Sequence, residues 1–127
     1  MEKILIVDDC KDIHAAVRAW LNGANMQAFS AFHSGDQAFH MAADIKPDLI
    51  LLDIDMPDMN GFELCQLLKR DIATTEIPII FLTATNHIED IKAGMACGAI
   101  DYISKPIKPQ LLVARIRKAL GQASAGV

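Results

Sequence analysis

The sequence predicts an α/β domain built as a doubly wound, five-stranded parallel sheet with helices on both faces. Three observations carry this. Apolar runs of strand length recur along the chain, each is followed by a segment with helical spacing, and the central runs are apolar throughout rather than alternating. A length of 127 residues suits one such domain, because domains cluster at roughly 100 to 150 residues. The 52% hydrophobic content gives a chain of this size enough apolar surface for a core and excludes a disordered one.

The elements follow in order. Residues 4–7 form the first apolar run. A helix over 12–21 places Ile13, Val17, Trp20 and Leu21 on one stripe, and Asn22-Gly23 closes it. Residues 26–32 read as a less apolar strand nearer an edge. Ser34 offers an N-cap to a helix bearing Ala38, Met41, Ala42 and Ile45, which must stop before Pro47. Residues 49–52 are a strand buried on both faces that ends in Asp53, and a turn-rich loop over 55–61 leads to a helix carrying Phe62, Leu64, Cys65, Leu67 and Leu68. Residues 77–82 form the next strand, ending at Thr83. A helix over 86–96 is stopped by Gly98, the last strand covers 99–104, and Pro109 opens a final helix with Leu111, Leu112, Ile116 and Leu120. Residues 1–121 therefore make the domain, and 122–127 a C-terminal tail or linker stump.

Charge and cysteine usage narrow the function. Lys plus Arg number 12 against 16 Asp plus Glu, a formal charge of −4, which is the wrong sign for a face that tracks nucleic acid. Cys10, Cys65 and Cys97 are scattered and odd in number, so neither a disulfide framework nor a zinc site is expected. The N-terminus lacks the apolar region of a signal peptide, and the longest apolar stretch falls far short of the roughly 20 residues a membrane span needs. A cytoplasmic protein without membrane or direct nucleic-acid contact is expected.

In a doubly wound sheet, ligands bind beyond the carboxyl ends of the strands. Those ends deliver Asp8 and Asp9, Asp53, Thr83 and Lys105. Converging carboxylates repel one another unless a cation sits among them, and an all-oxygen set suits Mg²⁺, with Mn²⁺ possible, better than zinc. Such a metal uses few carboxylates, which leaves Asp53 as a nucleophile toward phosphorus. Lys105, the Thr83 hydroxyl and the backbone N–H beside small Ala84 would then clamp the phosphoryl oxygens.

The motifs that carry these residues are ILIVDD at Asp8 and Asp9, LILLDIDMPDMNGFEL around Asp53, IIFLTA through Thr83 and Ala84, and GAIDYISKPI with Tyr102, Lys105 and Pro106. Four such blocks in this order resemble a response-regulator receiver domain of the chemotaxis-regulator type, from Lys3 to about Leu120. The resemblance implies a flavodoxin-like (βα)5 fold with strand order 2-1-3-4-5. It implies direct Mg²⁺ ligation by Asp9 and Asp53, action of Asp8 mainly through water, and a further ligand in the backbone carbonyl of Asp55. It implies a cis peptide before Pro106 that aims Lys105 into the site, and a switch in which Thr83 turns toward the phosphoryl group while Tyr102 swings. The surface of the fourth helix, fifth strand and fifth helix then changes. A sensor histidine kinase or phosphotransfer protein is the implied donor. The output is a partner protein or an attached effector, with a monomer or a phosphorylation-dependent homodimer, and the chain is a self-phosphorylating switch rather than a turnover enzyme.

Asp53-Ile54-Asp55 also resembles the nucleophile motif of haloacid-dehalogenase-type phosphohydrolases, but that family adds a cap and a later acidic pair, whereas the pair here lies upstream. A non-phosphorylated receiver-like scaffold is disfavoured because every reactive position is filled. Asp55 and Thr85 flank the phosphoryl site and are expected to influence how water approaches for hydrolysis; an acidic Asp55 either orients that water or repels the anionic donor, and the sequence leaves the sign open. His14, His33, His40 and His87 read as surface or partly buried side chains, Met56 and Met59 as packing, and Asp58 as a solvated turn residue. Cys10 is set against reactivity by the neighbouring anions. Asp101 and Arg115 are candidates for a pair across a dimer or for ordinary surface.

Overall fold

The protein is described by a computed structural model that covers residues 1–32, 35–56, 60–84 and 88–121. Along these residues strands and helices alternate: β1 (Lys3–Val7), α1 (Lys11–Gly23), β2 (Gln27–Ala31), α2 (Gly35–Ile45), β3 (Leu49–Asp53), α3 (Gly61–Arg70), β4 (Ile79–Thr83), α4 (Ile88–Ala96), β5 (Asp101–Ser104) and α5 (Pro109–Ala119). The strands form one parallel sheet in the order β2-β1-β3-β4-β5, as expected.

Alternation along the strands divides the interior into two cores. Ile4 and Ile6, Leu49 and Leu51, and Ile80 and Leu82 meet Val17 and Leu21 of α1 and Leu112 and Ile116 of α5 on one face. Leu5 and Val7, Ile50 and Leu52, and Ile79 and Phe81 meet Ala38 and Ala42 of α2 and Leu64, Cys65 and Leu68 of α3 on the other. Every residue of β3 and β4 is buried, which is why their sequences show no polar alternation. β2 lies at the sheet edge and is only partly covered.

Element ends follow local chemistry. Asn60 caps α3, its Oδ1 accepting the Phe62 N–H at 2.9 Å. Pro109 opens α5 at its first position, and Gly98 takes φ +111 behind α4. Several boundaries shift from the sequence reading, among them the last strand, which begins at Asp101 rather than at 99, and two of the shifts have a clear local cause. Gly23 belongs to α1, and the left-handed residue after it is Asn25, with φ 64, because a short amide side chain also tolerates that region. β4 begins at Ile79 rather than at 77, since Pro78 has no N–H to give the ladder; its carbonyl still accepts from Ile50 at 3.0 Å. The cap assigned to Ser34, the start of the fourth helix at Asn86 and the 122–127 tail lie outside the described residues, as do His33, His87, Asp58, Met59 and Thr85.

Candidate functional site

The strand order places the winding reversal between β1 and β3, where a doubly wound sheet opens a crevice at its carboxyl edge. Asp8 lies one residue beyond β1 and Asp53 closes β3. One oxygen from each of Asp8, Asp9 and Asp53 falls within a cluster whose members are no more than 4.8 Å apart. Asp8 and Asp53 are buried, at 0% and 2% exposure, and Asp9 is exposed. From the end of β5, Lys105 sends its ammonium between the buried pair, 3.2 Å from Asp8 Oδ2 and 3.3 Å from Asp53 Oδ2. The peptide joining Lys105 to Pro106 is cis.

Backbone groups hold the carboxylates in place. The Asp55 N–H donates to Asp53 Oδ1 and the Cys10 N–H to Asp8 Oδ1, both at 2.9 Å. Gly61 allows the first turn of α3 to lie against the chain just past Asp53, because a Cβ there would stand 2.7 Å from Ile54 Cα. His14 corrects the sequence reading: it is 2% exposed, stacks against Phe32 at 4.1 Å, and its Nε2 approaches the Asp8 carbonyl at 2.6 Å. The carbonyl can only accept, so Nε2 carries the proton. Its sequence signal was the helical spacing that sets His14 beside Val17 and Leu21.

Three acids face one ammonium, so the site carries excess negative charge. Burial pushes the Asp53 carboxyl up from 3.8 to about 6, with the Asp8 charge adding to the rise while the Asp55 N–H and Lys105 oppose it. Burial lowers the proton affinity of Lys105, but Asp53 and Asp8 outweigh it and the net direction is upward. An all-oxygen cluster with two charges unbalanced fits a hard divalent cation such as Mg²⁺.

On the other side of Asp53 stand Thr83 and Ala84. The Ala84 N–H donates to Asp55 Oδ2 at 2.9 Å, and the Thr83 hydroxyl lies 3.5 Å from the same oxygen. Thr83 is buried, whereas Tyr102 on β5 is 37% exposed and pairs in register with Phe81. The structure therefore brings Asp8, Asp9, Asp53, Lys105, Thr83, Ala84 and Asp55 together at one edge, with Tyr102 outside that group. The Asp55 carboxylate contact was invisible in the sequence, which marked Asp55 for its backbone carbonyl and as a flanking residue. Asp101 and Arg115 pair with each other inside the chain, Arg115 Nη1 meeting both carboxylate oxygens at 2.7 and 2.8 Å. Met56 packs against the core as expected.

Residues 4–117 match the family model described as response regulator receiver domain. The chain belongs to this family. Among curated receiver-containing relatives, it is 42% identical over 123 residues to the phosphate regulon transcriptional regulatory protein PhoB of Pseudomonas aeruginosa, covering 97% of this chain and 53% of that protein. The chain spans about half the length of the curated relatives it matches. The chemotaxis response regulator CheY4 of Vibrio cholerae superposes with a TM-score of 0.87 at 30% identity, covering 94% of this chain and 98% of the other. The receiver domain of the sensor histidine kinase PA1611 from Pseudomonas aeruginosa PAO1, solved with a magnesium ion coordinated in the active-site cleft, gives a TM-score of 0.85 at 26% identity over 95% and 98% of the two chains. Receiver domains are switches of two-component signalling rather than turnover enzymes, and they bind Mg²⁺ at an acidic pocket. No helix among the described residues is long and apolar enough to cross a membrane.

Proposed function

We propose that residues 1–121 form a receiver in which Asp53 accepts a phosphoryl group. The observation that carries this reading is the convergence of the Asp8, Asp9 and Asp53 oxygens within 4.8 Å, with the Lys105 ammonium 3.3 Å from Asp53. The donor is a phosphohistidine on a sensor kinase or phosphotransfer protein. An Asp53 oxygen attacks phosphorus in line as the P–N bond breaks, and the electron pair of that bond returns to the imidazole nitrogen. Asp53 must be ionised to attack, so without metal its reactive fraction rises through about pH 6.

Asp8, Asp9, Asp53 and the Asp55 backbone carbonyl are the residues that would hold Mg²⁺. When bound, the ion offsets the charge of the carboxylates and of the incoming phosphoryl oxygens. Lys105 supplies a fixed positive charge to one phosphoryl oxygen, and Ala84 N–H and the Thr83 hydroxyl donate to another. Movement of Thr83 toward that oxygen changes the space beside Tyr102, and the α4-β5-α5 surface carries the signal to a partner or to an attached effector. An effector is supported by relatives about twice as long, of which PhoB is a transcriptional regulator. The net charge of −4 argues against direct nucleic-acid contact by the domain itself, which acts in the cytoplasm as a monomer or phosphorylation-dependent homodimer.

Intact-mass measurement after incubation with acetyl phosphate and Mg²⁺ tests the reading. One added phosphoryl group that disappears in Asp53→Asn and in EDTA is the expected result. Absence of an adduct, together with no response to beryllofluoride, overturns it in favour of a scaffold.

A further inference from the structure

The donors assigned to the phosphoryl oxygens already have an anion. The Ala84 N–H gives its hydrogen bond to Asp55 Oδ2 at 2.9 Å, and the Thr83 hydroxyl stands 3.5 Å from that same atom. Meanwhile the Asp55 backbone N–H donates to Asp53 Oδ1 at 2.9 Å. One residue thus holds the nucleophile with its main chain and the opposite wall of the site with its side chain. A carboxylate oxygen is a close stand-in for a phosphoryl oxygen: both are anionic, and both take charge-assisted bonds from N–H and O–H groups.

We infer that the Asp55 carboxylate is an internal occupant of the phosphoryl-oxygen donors and holds back phosphorylation until it is displaced. The inference rests on the phosphoacceptor role of Asp53 and assigns the sign that the sequence left open. Asp55 is a positioning residue here; it acts on the reaction through Ala84 and Thr83. An incoming phosphoryl group must break the Ala84–Asp55 bond before it can claim the same N–H. Asp55 is exposed, so its displaced carboxylate is re-solvated at little cost, and the brake is modest. A hydrogen bond to a charged but solvent-facing group corresponds to an effect of about three-fold to ten-fold on occupancy.

Two variants separate donor occupancy from simple charge repulsion. Asp55→Ala removes both acceptor and charge; Asp55→Asn removes the charge and keeps an oxygen that can still accept from Ala84. In beryllofluoride titrations with Mg²⁺, the half-saturating concentration should fall about three-fold to ten-fold in Asp55→Ala and by less in Asp55→Asn. The acetyl phosphate labelling rate at low donor concentration should rise in the same order. A second readout needs no phosphorylation. The Ala84 amide proton in ¹H–¹⁵N spectra should lie downfield and exchange slowly in the metal-free wild type, move upfield and exchange faster in Asp55→Ala, and return downfield when beryllofluoride binds. An Ala84 signal indifferent to loss of the Asp55 carboxylate overturns the inference, as does an Asp55→Ala titration no tighter than wild type. Equal gains in the Ala and Asn variants overturn it in favour of charge repulsion. If no variant responds to donor or beryllofluoride, the phosphoacceptor reading itself falls and the brake with it, whatever Ala84 reports.

Discussion

Asp53→Asn should change the stability of the protein in a pH-dependent way whose sign follows from the site. The substitution removes a charge from a side chain that is 2% exposed while keeping the oxygen that accepts the Asp55 N–H. Lys105 retains Asp8 at 3.2 Å. In the folded, metal-free protein, burial holds the Asp53 carboxyl at about 6 against an ordinary 3.8. The native state therefore binds this proton more tightly than the unfolded chain does. Stability from the protonated carboxyl is present at low pH and is lost as pH rises from 3.8 through about 6. Linkage with those two values gives a contribution on the order of 1 kcal/mol at about pH 5 that has vanished by about pH 7.5. Urea unfolding in EDTA, followed by circular dichroism at the two pH values, supplies the comparison. Wild type minus Asp53→Asn cancels the titrating groups that do not touch Asp53, and that difference should fall by about 1 kcal/mol on going to the higher pH. A difference that stays flat, or that moves in favour of wild type at high pH, refutes the claim that Asp53 is strained by burial and by Asp8.

Asp9→Asn should leave metal-free stability within about 0.5 kcal/mol of wild type, because Asp9 is exposed, yet abolish most of the rise in melting temperature that Mg²⁺ produces at neutral pH; an unchanged Mg²⁺ response in differential scanning calorimetry would remove Asp9 from the ligand set. Gly94→Ala should destabilise the fold by about 1–2 kcal/mol, the overpacking cost exceeding the gain in helix propensity. The new Cβ would stand 2.3 Å from Phe81 Cε2, on a ring already fixed edge-on by Phe62 at 5.6 Å. Phe81→Leu in the same chain should recover part of that loss in chemical denaturation, and a purely additive double variant would argue against the contact.

The strands and the edge that carries the chemistry were legible because buried parallel strands write themselves as short apolar runs, and four of the five runs here lead into a polar residue at that edge; the strand order came from the family resemblance. Asp8, Asp53 and Lys105 meet as those ends imply. What the sequence hid depends on rotamers and partners. His14 lies on the buried stripe of α1, but its polar ring reads as a surface side chain, and the Asp8 carbonyl and the Phe32 ring that receive it come from other parts of the chain. Asp101 and Arg115 are far apart in sequence, and the choice between an internal pair and a pair between copies required the turn from β5 into α5. The direction of the Asp55 side chain is fixed by the donors it meets, the Ala84 N–H and the Thr83 hydroxyl, and these come from a different strand end.

The division of the interior into two cores has a consequence for how a signal can travel. By strand alternation, Asp8, Asp53 and Lys105 share the phase of Ile6, Leu51 and Ile103, which serve the α1 and α5 layer, whereas Thr83 and Tyr102 share the phase opposite to Leu82 and Ile103. For the proposed switch the sheet would be a partition, with the phosphoacceptor on one side and Thr83 and Tyr102 on the other. The carboxyl rim is where side chains of both phases meet, past the last hydrogen bonds of the ladder, and it is the route the proposed switch would take. Repacking beneath α1 should thus alter how firmly the domain stands without altering what it says, while a change of one atom at the rim can do the reverse.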